Sequence, residues 1–91
     1  YQSRWIFIKD LLVDIKTLFQ QRMSNSGIEF TFDTTNELTL YGNQTSIALA
    51  LEDLIENSIE AVSTLKEKWI HISVSEKDEK IIFKVIDSGH G

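Results

Sequence analysis

Two polar side chains one helical turn apart offer oxygen ligands on one face of a predicted helix. Asp53 and Asn57 are four residues apart, which separates them by about 40° around a helix at about 100° per residue. A carboxylate beside an amide oxygen suits a hard cation such as Mg²⁺, which takes oxygen ligands and keeps several waters. Ala50 and Ala61 lie between this pair and the apolar face, so small side chains leave room for a ligand. Taken alone, such a pair is more typical of a solvated helix edge.

A second candidate follows the last predicted strand, where residues 87–91 read DSGHG. By strand alternation Asp87 shares the face of Phe83, which should be covered by helices. A carboxylate buried there is costly unless it meets a hydrogen-bond donor, and the amino group of a purine is one such donor. Gly89 and Gly91 would let the backbone turn sharply and approach a flat ring. Taken alone, this composition is also that of a common turn.

The composition indicates one small globular domain and excludes several classes of function. The chain has 91 residues, a hydrophobic fraction of 42% and no cysteine, so neither disorder nor a thiolate site is expected. The net charge of −5 is spread along the chain, which argues against nucleic acid as the main partner. No apolar stretch is long enough to cross a bilayer, and no Gly-Lys phosphate-binding loop is present. No Ser or Thr is expected to pair with a His and a carboxylate, so nucleophilic hydrolysis is not supported.

The hydrophobic periodicity predicts two helices and four strands in the order α-β-β-α-β-β. The helices are expected at about 5–23 and 44–66, and the strands at about 28–33, 38–40, 70–75 and 81–86. Gly27 is placed to end the first helix, and Asn43 or Thr45 to cap the second. The buried arc of the second helix is expected to comprise Ile47, Leu51, Leu54, Ser58, Val62 and Leu65. The expected fold class is an α/β (α+β) two-layer sandwich with both helices on one face of a small mixed sheet.

In combination, the two candidate segments resemble the motifs of the Bergerat-fold (GHKL) ATPase superfamily. Residues 53–62 are similar to its N box and residues 87–91 to its first glycine box. The superfamily contains sensor histidine kinases, DNA gyrase, MutL and a class of heat-shock chaperones. The strand entry at Gly27-Ile28 and the step at 41–43 into the second helix are most similar to the histidine kinases. The resemblance covers essentially the whole chain.

The resemblance implies a role for each candidate residue. Asn57 would coordinate the Mg²⁺ that ATP carries on its phosphates, and Asp87 would accept a hydrogen bond from the adenine amino group. Gly89 and Gly91 would shape the adenine pocket, and Ala61 would line the same cofactor site. Asp53 stands where many kinases have Asn and where gyrase and MutL have a catalytic Glu. As a candidate catalytic residue it could therefore hold the metal shell or orient a water.

The implied function is that of the ATP-binding part of a two-component sensor histidine kinase, which transfers the ATP γ-phosphate to a histidine. The implied partners are ATP, the dimerisation and histidine-phosphotransfer domain of the same protein, and a response regulator. The implied location is the cytoplasm, where the domain could also be part of a membrane-bound sensor. The two alternatives are an ATPase conformational switch of the MutL, chaperone or gyrase type, and a degenerate module that serves only for docking.

The lid and second glycine box of the family, which follow the first glycine box, are not found in residues 1–91. We therefore expect a partial domain that binds ATP weakly or not at all and cannot transfer phosphate by itself. We also expect an uncovered sheet edge, through which copies of the chain would self-associate.

Overall fold

The computed structural model describes residues 3–34 and 38–89, which form two helices and five strands. In chain order these are β1 (Arg4–Phe7), α1 (Ile8–Asn25), β2 (Glu29–Thr34), β3 (Thr39–Gly42), α2 (Gln44–Val62), β4 (Trp69–Lys77) and β5 (Lys80–Asp87). The turn expected at Thr35-Asn36 lies outside the described residues, as do His90 and Gly91 of the glycine-rich motif.

Three strands form the mixed sheet that the sequence predicts. β4 is central; β2 pairs with it in parallel and β5 in antiparallel orientation. The parallel pair is possible because α2 carries the chain back between the two strands. One face of this sheet, here called the inner face, carries the buried side chains Phe30, Ile70, Ile72 and Val74, and the helices pack against it.

The first strand corrects the sequence prediction, which placed Trp5 to Phe7 inside the first helix. β1 pairs instead with β3 in a separate antiparallel ribbon, with Ile6 opposite Leu40. Ile6 is buried, whereas Trp5 and Phe7 point outward and Trp5 contacts Tyr41 edge to face. Three consecutive large apolar residues fit either element, and pairing with β3 decides in favour of the strand.

The helix ends follow local signals in the sequence. Gly27 has a φ of +70° and ends α1, as predicted. The Asn43 side chain accepts a hydrogen bond from the Ser46 N–H at 3.0 Å, which makes Asn43 rather than Thr45 the N-cap of α2. The far end of α2 was placed too late, because the helix stops at Val62 and the Ser63 hydroxyl donates to the Glu60 carbonyl at 2.8 Å.

Apolar side chains at helical spacing attach α1 to the inner face of the sheet. The residues of α1 that it buries are Ile8, Leu11, Leu12, Ile15, Phe19 and Met23, and the core continues into α2 and β4. Burial of such side chains contributes about 1.5–3 kcal/mol each. Within the described residues, neither helix combines the length and apolarity that a membrane span requires.

The outer edge of the sheet at β5 is relevant to the expected self-association. Among the described residues, β5 pairs only with β4, so its second edge offers unpaired backbone groups. Ile86 on this strand is 43% exposed. Self-association through this edge stays a prediction.

Candidate functional site

Asp87 is placed by the last residue pair of the β4–β5 ladder. It lies opposite Ile70, and strand alternation puts it on the inner face with Val85 and Phe83. Its exposed fraction is 7%, and among the described residues it is the only buried side chain with a formal charge. The position predicted from alternation is therefore confirmed.

The carboxylate of Asp87 is oriented by the backbone that follows it. The Gly89 N–H donates to Asp87 Oδ1 at 2.8 Å, which closes an Asx turn. Among the described residues this is the only hydrogen bond to the carboxylate, and no cation pairs with it. One oxygen is thus fixed, and the other can accept a hydrogen from a ligand.

Gly89 approaches α2 more closely than any other residue type could. A Cβ atom at Gly89 would lie 2.9 Å from the carbonyl oxygen of Ala61 and 3.0 Å from the Ala61 Cβ. The requirement for glycine here comes from this contact with the helix backbone. The structure thereby brings Asp87, Gly89 and Ala61 together, as the two sequence motifs suggested.

Asp53 and Asn57 occupy an exposed stripe that runs along α2 away from Ala61. The stripe comprises Ala50, Asp53, Leu54, Asn57 and Ala61 and spans about 100° of the helix circumference. Asn57 lies about 6 Å along the axis from Ala61, and Asp53 about 12 Å. The open stripe of α2 and the Asp87–Gly89 turn therefore meet at Ala61.

Leu54 corrects the prediction for this helix. It was expected on the buried arc, but it is 47% exposed, whereas Ile55 is fully buried. The buried residues Leu51, Ile55 and Val62 show that the arc is rotated toward Ile55. This rotation leaves the apolar side chain of Leu54 on the open stripe, among the alanines and the polar residues Asp53 and Asn57.

An exposed ion pair connects α2 to α1 next to the stripe. The Arg22 guanidinium lies 2.6 Å from Glu56 Oε1. Its hydrogen bond holds the pKa of Glu56 below the ordinary value, and the same bond raises the pKa of Arg22. Glu56 directly precedes Asn57 in α2, so the pair lies close to the proposed phosphate-facing residues.

The described residues contain no cluster of three or more acidic, cysteine or histidine side chains that could hold a metal ion alone. Asn57 and Asp53 can supply only part of a coordination sphere. This donor set fits Mg²⁺, which is commonly held by one or two protein oxygens together with water and phosphate oxygens.

The opposite, outer face of the sheet carries a second polar cluster, which corrects one expectation. His71 Nδ1 lies 2.6 Å from Thr31 Oγ1, and His71 Nε2 lies 3.1 Å from Asp33 Oδ2. A hydroxyl–histidine–carboxylate set is therefore present after all. Thr31 and Asp33 project outward from a strand rather than into a cleft, so the cluster does not support hydrolysis.

Ser88 is the residue that the sequence analysis left without a role. Its hydroxyl donates to the Glu67 carbonyl at 2.9 Å and accepts from the Trp69 N–H at 3.1 Å. The only signal in the sequence was its place between Asp87 and Gly89. The partners lie about 20 positions away, so spacing could not reveal them.

No protein-family model matches the chain. Over its full length it is 28% identical to sporulation kinase B of Bacillus subtilis (strain 168), and it spans 21% of that protein. In sequence and fold the chain is similar to histidine kinases.

Solved structures show the same relationship. The nucleotide-free catalytic domain of the histidine kinase ThkA superposes with a TM-score of 0.87 and 28% identity, over 98% of this chain and 60% of that one. ThkA in complex with the response regulator TrrA gives a TM-score of 0.84 and 26% identity, over 94% and 25% of the two chains. The Acinetobacter baumannii histidine kinase AdeS, at 21% identity and a TM-score of 0.82, shares the fold over 99% of this chain and 44% of AdeS.

Proposed function

We propose that the chain is the ATP-binding portion of a sensor histidine kinase. The observation that carries this proposal is the buried Asp87 carboxylate, with one oxygen fixed by Gly89 and the other directed to no described donor. The relationship to histidine kinase catalytic domains supports it. In this role the parent protein transfers the γ-phosphate of ATP to a histidine.

Asp87 and Gly89 would recognise the adenine. The free carboxylate oxygen of Asp87 accepts a hydrogen from the exocyclic amino group, which gives the site its preference for adenine over bases that lack that donor. Gly89 and Ala61 present a wall without projecting side chains beside it. Gly91 is assigned to the same adenine pocket from the sequence motif alone.

Asn57 and Asp53 would face the phosphates. Bound Mg-ATP would supply the phosphoryl group, with the metal neutralising charge on the phosphate oxygens. The Asn57 amide oxygen would be one ligand of that metal. Asp53, one turn further along the stripe, would hold the metal's water shell or orient a water.

The partners follow from the same relationship. ThkA is known in complex with its response regulator TrrA, and a response regulator is the expected acceptor downstream of this protein. The histidine would be carried by a dimerisation and phosphotransfer domain of the same protein. The chain would act in the cytoplasm, including as part of a membrane-bound sensor.

Titration of the ¹⁵N-labelled chain with Mg-ATP, followed by NMR, tests the proposal. Amide shifts are expected at 87–89, at Ala61 and at Asn57, but not at His71 on the outer face. The Asn57 shift should require Mg²⁺, whereas the shifts at 87–89 should also appear with ATP alone. Weak binding and no binding are the two outcomes expected from the sequence. The proposal requires weak binding, with Kd on the order of 1 mM, equivalent to about 4 kcal/mol. Shifts confined to the outer face, or none at all, would contradict the proposal.

A further inference from the structure

Ser88 joins the end of β5 to the start of β4 and to the residues just before it. Its backbone N–H donates to the Trp69 carbonyl at 3.1 Å. Its hydroxyl accepts from the Trp69 N–H at 3.1 Å and donates to the Glu67 carbonyl at 2.9 Å. A single half-buried side chain therefore satisfies one donor and one acceptor of residues 67–69.

The hydroxyl takes the place that a main-chain carbonyl would have in a continued ladder. In a hydrogen-bonded antiparallel pair, two residues exchange both N–H···O bonds. Trp69 makes this exchange with Ser88, but its N–H donates to the side chain. The backbone after Ser88 can therefore leave the strand direction while the Trp69 N–H keeps a hydrogen-bond partner.

The segment that Ser88 binds is itself attached to the sheet. The Lys68 carbonyl accepts a hydrogen bond from the Glu29 N–H at 2.9 Å. Residues 67–69 thus provide a fixed base beside the first residue of β2.

The turn on the other side of Ser88 has little freedom. Asp87 is held at its Oδ1 by Gly89, and Gly89 lies against the backbone of Ala61 with no room for a Cβ. A small rotation at Ser88 would shift the Asp87 carboxylate and the Gly89 contact together.

We propose that Ser88 is a positioning residue of the nucleotide site. Its hydroxyl clamps the Asp87–Gly89 turn onto residues 67–69, so that the free Asp87 oxygen stays aimed at the adenine amino group. The inference rests on the proposed function, because the turn that Ser88 holds is the proposed adenine contact.

The clamp is tested without nucleotide by amide hydrogen exchange in Ser88→Ala, Ser88→Thr and the control Ser75→Ala. Ser75 is an exposed serine of β4. In Ser88→Ala the amides of Trp69 and Gly89 should exchange about tenfold faster, while those of the central strand keep their protection. Ser88→Thr keeps a hydroxyl and should restore protection. Equal acceleration throughout the sheet, or complete unfolding of Ser88→Ala, would overturn the proposal in favour of a merely structural role.

Nucleotide preference supplies the second readout. Inosine triphosphate carries a carbonyl where ATP has the amino group, so it has no donor at that position to offer Asp87. In Ser88→Ala, ATP should bind about fivefold more weakly, equivalent to about 1 kcal/mol, while inosine triphosphate changes less than about twofold. If Ser88→Ala binds ATP with the same ratio of ATP to inosine triphosphate affinity as wild type, the clamp is refuted but the proposed function is not. A wild-type chain that binds neither nucleotide would refute the proposed function, and the clamp's role in the site with it.

Discussion

Gly89 and Ala61 are in backbone contact, so that a Cβ atom on Gly89 would lie 2.9 Å from the Ala61 carbonyl oxygen. This contact joins the two sequence motifs, because Ala61 ends the open stripe of α2 and Gly89 follows Asp87. The turn proposed to contact adenine and the helix proposed to face the phosphates are therefore in direct contact, and we treat them as one unit.

Replacement of Gly89 by alanine should disturb this unit. The methyl group cannot fit without moving α2 or the turn, so we expect the free energy of unfolding to fall by about 1–3 kcal/mol and the Mg-ATP shifts at Asp87 to disappear. Gly42→Ala is the control, since a Cβ there would lie 3.3 Å from the flexible end of Ile47. Urea unfolding measures both variants. Equal, small losses of unfolding free energy in Gly89→Ala and Gly42→Ala would show that the contact between Gly89 and Ala61 is unimportant.

The hairpin between β4 and β5 is strained and should be easy to stabilise. Asp78 and Glu79 have φ values of +53° and +64°, the pattern of a type I′ turn that favours Asn-Gly. Glu79→Gly should raise the free energy of unfolding by about 1 kcal/mol, because glycine adopts positive φ without the steric cost. The same substitution at Glu76, inside β4, should be destabilising. A loss of stability in Glu79→Gly would contradict the turn geometry.

The Arg22–Glu56 pair predicts a pH dependence of stability. Because its hydrogen bond lowers the pKa of folded Glu56 below the ordinary 4.5, the stabilisation is complete above that value and is lost as pH falls through the lower pKa. The raised pKa of Arg22 keeps it charged throughout. The Tm of Glu56→Gln should therefore lie slightly below that of wild type near neutral pH, at low salt, and converge with it in acid. Glu60→Gln, one turn away, is the control and should show no such difference in Tm from wild type. A Tm difference between Glu56→Gln and wild type that widened in acid would refute the assignment.

Much of the site could be predicted because it depends on local periodicity. Strand alternation placed Asp87 on the inner face, and helical spacing placed Asp53 and Asn57 together. The rotation of α2 that exposes Leu54 depends on how the helix packs on the sheet, which periodicity fixes only to within a residue or so. The strand β1 was missed because its pairing with β3 is a non-local contact. The role of Ser88 was missed because its hydrogen-bond partners, Glu67 and Trp69, are also distant in sequence.

The central claim is that the Asp87 carboxylate recognises the adenine of ATP. Mg-ATP titration of Asp87→Asn beside Asp33→Asn tests it most directly, because each variant changes one strand carboxylate to an amide, on the inner and the outer face respectively. We predict that Asp33→Asn keeps the wild-type shifts at Ala61 and Gly89, while Asp87→Asn, which folds but presents an amide, loses them. Retention of those shifts and of the wild-type affinity in a folded Asp87→Asn would contradict the account.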